Sequence, residues 1–351
     1  MSDSAGGAAG AGDAWRAVEV LYHAYLTGLI LFTVSRRGAG DAANLVFWTF
    51  RRQHLAKFLP GLEKLGLRGL PDAVACARYH YLSNFLGGVR VGYTEESARK
   101  AWIRYPPPRW IWQGPAICGI PSDVSRAMLR GWHAHNGVSL RNPRLGFVCT
   151  KQTVDGQPGL EGYYLEHDRD LAPEERLRFA PEEEAPAFDP AMAPRVPAEG
   201  WPAERLAKVR RNYSMDYIAT ILPEAVRLFG ALEGGQLVAG AARLIGMQYY
   251  AETAALLGIA GDTPDAFAEY LVAMGRGQGD DTTWQRRDGE IVLHQTTWRL
   301  MADAGRVAPP VFDAWMELWR GAALAHDPRL RLDVIARRDL GDPRFEWRLC
   351  L

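Results

Sequence analysis

The feature that most constrains this chain is a hairpin written twice. Asn142-Pro143-Arg144-Leu145 opens a strand, Gly156-Gln157-Pro158 turns the chain, and Leu160-Glu161-Gly162-Tyr163-Tyr164 brings it back. Asp327-Pro328-Arg329-Leu330, Gly341-Asp342-Pro343 and Phe345-Glu346-Trp347-Arg348-Leu349 follow the same plan, each 185 positions later (327 − 142, 341 − 156, 346 − 161). Over the 25 positions from 142 to 166, six recur unchanged: Pro143, Arg144, Leu145, Gly156, Pro158 and Glu161. Ordinary composition gives roughly one or two such coincidences. The chain therefore reads as one domain built twice. In the later strand Leu330, Leu332 and Val334 alternate with Arg331 and Asp333, so one face meets a core.

The likeness extends upstream. Leu65-Gly66-Leu67-Arg68-Gly69-Leu70-Pro71-Asp72 returns as Leu257-Gly258-Ile259-Ala260-Gly261-Asp262-Thr263-Pro264-Asp265, offset by 192 at Leu65 and by 193 from Pro71. In both places proline starts a helix, where its missing N–H costs nothing. Helical segments are expected over 15–35 and 41–65, broken by Arg36-Arg37-Gly38-Ala39-Gly40, and again over 71–85. Hairpins are expected from Val89–Tyr93 with Ala98–Tyr105, and from Thr282–Arg286 with Glu290–Gln295. Tryptophan-bearing helices follow over 123–136 and 310–325. The fold class expected is α+β, a tandem duplication of a helical plus antiparallel-sheet domain. Its parts are a disordered lead (1–13), a first repeat (14–171), a Pro- and Glu-rich linker (172–202) and a second repeat (203–351). Pro106 to Pro121, with Pro106-Pro107-Pro108 beside Tyr105, Trp110 and Trp112, reads as an insert of the first repeat alone, placed to cover a pocket or clasp the other copy.

Charge narrows the function. Lys plus Arg and Asp plus Glu are both 41, so no net field is available to hold nucleic acid or an anionic membrane. The four cysteines, Cys76, Cys118, Cys149 and Cys350, show neither zinc-site nor disulfide-framework spacing, which fits a reducing cytoplasm. Val18–Val34 is apolar but carries Glu19, His23 and Thr27 and reads as a buried helix. A small-molecule substrate is the expected partner, with no nucleic acid and no membrane, and a homodimer is compatible with the sequence.

The order of elements, and Gly341-Asp342-Pro343-Arg344-Phe345-Glu346-Trp347 in particular, resembles the 4-vinyl-reductase domain and, more loosely, the domain named for L-2-amino-thiazoline-4-carboxylic acid hydrolase. The resemblance implies an α+β small-molecule-binding domain, used in enzymes and in sensor modules. Members often carry cysteines around the last hairpin; here only Cys149 and Cys350 fall on its strands, so no cysteine chemistry is carried over.

Residue chemistry points to the first repeat. Cys76, His80 and Asn84 share a helix face at i, i+4 and i+8 among small residues, where an imidazole near neutrality can handle a proton. His133 and His135 at i, i+2 do not face each other, which argues against joint metal ligation. His135, at i+3 from Trp132, is expected to reach the cavity opposite His80, and a capping or solvent-facing role is the plainer alternative for both. Glu161 and Tyr163 complete the expected catalytic set, although Glu161 recurs as Glu346, which favours a structural hydrogen bond or arginine pairing over catalysis. Lys151, Tyr164, Trp102, Trp110 and Trp132 are expected to contact substrate. No metal and no cofactor are expected: Gly275-Arg276-Gly277-Gln278-Gly279 follows a helix and precedes a strand, the reverse of a dinucleotide loop. Two function classes stand: an acid–base enzyme, a hydrolase or lyase acting on a planar or heterocyclic compound, and a non-catalytic binding protein or sensor for an aromatic one.

Overall fold

The computed structural model describes residues 10–195, 201–302 and 307–351, and it is an α+β protein with two antiparallel-rich sheets. The expected disordered lead falls mostly outside the described residues, and helix α1 (Ala11–Arg37) already includes its last three. Helices α2 (Ala39–Lys64) and α3 (Asp72–Leu86) precede the hairpin β1 (Gly92–Ser97) and β2 (Lys100–Tyr105). After a loop come α4 (Ser122–Gly131), α5 (Asn136–Leu140), β3 (Leu145–Lys151), β4 (Leu160–Glu166) and β5 (Leu177–Phe179). The second half follows this order without counterparts of α5 and β5: α6 (Ala203–Phe229), α7 (Ala231–Leu256), α8 (Pro264–Gln278), β6 (Thr282–Arg287), β7 (Glu290–Gln295), α9 (Pro309–His326), β8 (Arg331–Ala336) and β9 (Phe345–Cys350).

The halves agree in detail. Strand order is β1-β2-β4-β3 in one sheet and β6-β7-β9-β8 in the other. Register agrees pair by pair: Gly146 faces Leu165 as Arg331 faces Cys350, and Cys149 faces Gly162 as Val334 faces Trp347. Each final hairpin carries a register shift at the same place, between Cys149 and Lys151 and between Val334 and Ala336. Its turn closes through a left-handed glycine, Gly156 at φ 79° or Gly341 at φ 109°, a conformation costly to other residues. Helix breaks agree too: Gly38 and Gly230 stand at φ 89° and 85°.

The chain divides into two compact units, Met1–Phe32 with Ala207–Leu351, and Thr33–Leu206. The boundary expected at residue 14 is thus displaced, because most of α1 packs with the second half. The Tyr22 hydroxyl donates to Gln278 Oε1 at 2.9 Å and accepts from Trp315 Nε1 at 3.1 Å, and Tyr25 donates to the Val238 carbonyl at 2.9 Å. A helix with residues such as Tyr22, Tyr25, Leu26, Leu29 and Ile30 buried needs a core around it. This same helix is long and apolar enough to cross a membrane, and 67% of its most apolar window is buried within the protein.

The segment expected to be a plain linker does more. Its Leu177–Phe179 adds a fifth strand, parallel to β3, and Ala180 joins Trp102, Val148 and Tyr163 in an apolar cluster, with Ala185 packed against it. The second half has Val292, Asp333 and Arg348 at the matching sheet positions, where Arg348 bridges Glu290 and Asp333 at the surface. The ion-paired Asp333 and Arg348 need no cover; the tryptophan and tyrosine of the first sheet do. Residues 196–200 of that segment lie outside the described residues.

Candidate functional site

Helix α3 is buried nearly all round in the unit of residues 33–206, and Cys76, His80 and Asn84 share one of its faces. Asn84 turns its amide onto its own helix, donating to the His80 carbonyl at 2.7 Å, and also reaches the Tyr105 hydroxyl at 3.2 Å. Opposite stands α4, which stops at Gly131. Trp132 leaves helical geometry (φ −111°, ψ −70°), and His133–His135 form a single 3-10 turn. The helix expected to run to Asn136 is therefore broken, and helical i+3 spacing no longer places the histidines. His133, not His135, enters the core, stacking on His80 at 4.2 Å and on Phe147 at 4.5 Å. His135 instead donates through Nδ1 to the Arg130 carbonyl at 2.7 Å.

Tyr164 ties the cluster together. Its hydroxyl lies 2.6 Å from His133 Nδ1 and accepts from Asn136 Nδ2 at 2.9 Å. With the amide donating, the phenol proton goes to His133 Nδ1; the same amide lies 3.3 Å from His80 Nε2. Burial sets the charges. It holds His80 well below the ordinary imidazole value, helped by the neighbouring His133 and His54. His133 is held down to about 3 by burial, then by His54 and Arg109, and His54 to about 3 by burial, then by Arg51 and His135. Cys76 and Tyr164 are pushed well above their usual values, again by burial. At neutral pH these groups are uncharged, a chain of neutral donors and acceptors enclosed by Phe147, Tyr79 and Trp132. Among the described residues no three His, Cys, Asp or Glu side chains are gathered as a metal ion requires.

Strand alternation separates the remaining expected residues. Tyr164 and Phe147 point at the helices, so Tyr163, Glu161 and Trp102 point to the other side of the sheet. There Tyr163 donates to Glu183 Oε2 at 2.7 Å, and Trp102 donates through Nε1 to Glu96 at 2.7 Å. Glu161 accepts from Thr150 at 2.9 Å and pairs with Arg104 at 3.4 Å. Lys151 donates to the Pro181 carbonyl at 2.7 Å and pairs with Glu184 at 2.6 Å. The expectation that Tyr163 and Glu161 stand with His80 is thus corrected: they anchor the covering segment.

A cavity of about 400 Å³ lies under the proline loop, and none of the cluster's side chains lines it. Its walls are Gly88, Val89 and Arg90 after α3, and Pro106, Pro108, Arg109, Trp110, Gln113 and Gly114 after β2. Of the expected residues only Trp110 lines it. Arg109 is buried at 6% exposure, its guanidinium carbon 5.5 Å from the Tyr105 ring centre. Arg90 donates to the Pro107 carbonyl at 2.9 Å. Arg109 therefore belongs both to the cavity wall and to the charges felt by His133. The loop is not an insert of the first half alone: sixteen residues (106–121) join β2 to α4, and thirteen (296–308) join β7 to α9. Spacing gave no sign of Arg109, His54 or Asn136, each carried to the site by a loop or another helix.

Comparison with known protein families, curated proteins and solved structures finds no match to this chain.

Proposed function

We propose that this chain binds a small organic molecule in the cavity beneath the proline loop of its first half, with the second half as scaffold. The observation that carries the reading is the cavity itself, about 400 Å³ with an apolar wall of Val89, Pro106, Pro108 and Trp110 and two arginines. That combination of size, mostly apolar lining and few placed polar groups is what small-ligand sites share. The four unbridged cysteines support a reducing, cytoplasmic setting. Both halves are read as copies of one ancestral domain, supported by their common strand order and register.

The test is a fragment screen by ligand-detected NMR on the full chain and on Val89→Trp, which fills the cavity. Hits for the wild type that vanish in Val89→Trp are expected. Identical hits of identical strength in both would overturn the proposal.

An acid–base enzyme is the second reading, favoured by one observation: His133 and Tyr164 form a buried hydrogen-bonded pair, and His133 feels the charge of Arg109 on the cavity wall. A neutral imidazole paired with a phenol can relay a proton if a ligand reaches that wall. His133→Asn then abolishes turnover while ligand affinity stays within a few fold, and turnover unchanged in that variant removes the enzyme reading.

A further inference from the structure

The outer face of the first sheet holds a stretch of its own chain by the main chain. Strand β5 joins the edge of β3 in parallel, with Leu177, Arg178 and Phe179 opposite Phe147, Val148 and Cys149. Beyond it the ladder stops, because Pro181 has no N–H to give, and side chains of the sheet take over. The Ala180 N–H donates to the Cys149 carbonyl at 2.9 Å. The Pro181 carbonyl accepts from the Lys151 ammonium at 2.7 Å, and the Ala185 N–H donates to the Glu161 carboxylate at 3.3 Å. Two nearly buried charged groups, Lys151 and Glu161, thus grip an irregular segment by its backbone.

The side chains read by this face are few. Ala180 sits in a pocket of Trp102, Val148 and Tyr163, with Ala185 packed beside it. Glu183 accepts from the Tyr163 hydroxyl at 2.7 Å, and Glu184 pairs with Lys151 at 2.6 Å. Pro181, Glu182, Pro186 and Ala187 are exposed. The second sheet is built otherwise. Val292, Arg348, Asp333 and Ala336 stand in the places of Trp102, Tyr163, Val148 and Lys151. Its shared carboxylate, Glu346, contacts His294 at 3.2 Å and Arg344 at 2.9 Å and holds no backbone N–H. A plain cover needs only apolar side chains laid on apolar ones. Ladder bonds at a sheet edge, a pocket for a chosen small residue and placed partners for two acids are the means by which extended peptides are bound.

We infer that this face is a peptide-binding groove, occupied by residues 180–185 as an internal ligand, and that its partner is an extended acidic segment of another protein with the pattern Ala-Pro-x-Glu-Glu-Ala. Charge and donors favour that occupant, since the Lys151 ammonium and the Tyr163 hydroxyl are both set toward carboxylates. A segment with few buried side chains, and with prolines that leave the ladder, opens locally at little cost. The groove is separate from the cavity under the proline loop, none of whose lining residues belongs to it.

The experiment is fluorescence anisotropy of a labelled synthetic peptide of residues 176–188, titrated with the full chain and with two variants that release the internal segment. Ala180→Arg forces a cation into the apolar pocket. Glu183→Lys with Glu184→Lys reverses the two acidic anchors, and it serves if Ala180→Arg fails to fold. Trypsin cleavage after Arg178 is expected to quicken in the released chains, and their peptide affinity to exceed that of the wild type about tenfold or more. A peptide with glutamine for both glutamates is expected to bind them about tenfold more weakly, the scale of one charge-assisted contact. Lys151→Met in a released chain is expected to abolish that preference. Released chains that bind no peptide, or bind the glutamine peptide equally well, would overturn the inference. So would an internal segment that stays uncleaved in both variants, since a partner then cannot displace it. A released chain that dimerises in sedimentation and refuses the peptide would assign the groove to a second copy and overturn the partner reading.

Discussion

Removing one hydroxyl from each of two adjacent tyrosines gives very different expected losses. Tyr164→Phe deletes the atom that accepts from Asn136 at 2.9 Å and donates to His133 at 2.6 Å. Tyr164 and Asn136 are fully buried and His133 nearly so, so water cannot replace the lost partner. Each stranded buried group costs about 1–3 kcal/mol, and two of them give a loss of about 2–6 kcal/mol. Tyr163→Phe deletes a hydroxyl bonded to Glu183, a residue on the solvent-facing side of the covering segment, and is expected to cost about 1 kcal/mol. Urea unfolding followed by circular dichroism, with both variants on the same day, reads the difference directly. Because the chain has two compact units, the transition belonging to residues 33–206 is the one that should move. Equal losses, or a larger one for Tyr163→Phe, would refute the assignment of inner and outer sheet faces.

Other consequences follow from charge and packing. His133 and His54 are held at about 3 in the folded state against an ordinary 6.5, so their contribution is intact above pH 6.5 and is lost as pH falls toward 3. Each should cost about 2 kcal/mol of stability by pH 5, readable as a falling urea midpoint that flattens in His133→Phe. Asp280 runs the other way: its folded value near 6 lies above an ordinary 3.8, so its contribution is intact at low pH and lost as pH rises through 6. Asp280→Asn should therefore gain on the wild type by about 2 kcal/mol between pH 4 and pH 8, and a pH-independent difference would contradict it. Gly131→Ala should lose more than about 2 kcal/mol, because an added methyl meets the Phe47 carbonyl and the Arg51 N–H of α2, and thermal melts check it. Lys151→Ala strands Glu184 and the Pro181 carbonyl and should speed proteolysis within 172–195 without lowering the main unfolding midpoint by more than about 1 kcal/mol.

Much of the architecture was legible because glycines and prolines mark it. Gly66 and Gly258 end α2 and α7 at φ 67° and 66°, and Gly156 and Gly341 turn the last hairpins, so the repeat could be read from punctuation alone. Alternation in β4 was also on the page, and taking it strictly would have separated Tyr163 from Tyr164. What spacing did not give was the break at Trp132, since nothing in Gly131-Trp132-His133-Ala134-His135 is a helix breaker of proline's strength. The break decides which histidine meets His80. Nor does local sequence report that α1 packs beside Gln278 and Trp315, a long-range choice set by burial of an apolar stripe. The covering role of residues 177–188 was hidden behind a composition of prolines and acids, although Leu177, Phe179 and Ala180 mark the strand and the contact.

The most direct measurement is a crystal structure of the full chain grown with the tightest-binding hit of the fragment screen. The expected result is density for the ligand in the cavity walled by Val89, Pro106, Pro108 and Trp110. Ligand density at any other place on the chain, with residues 88–90 and 106–114 closed against each other, would contradict it.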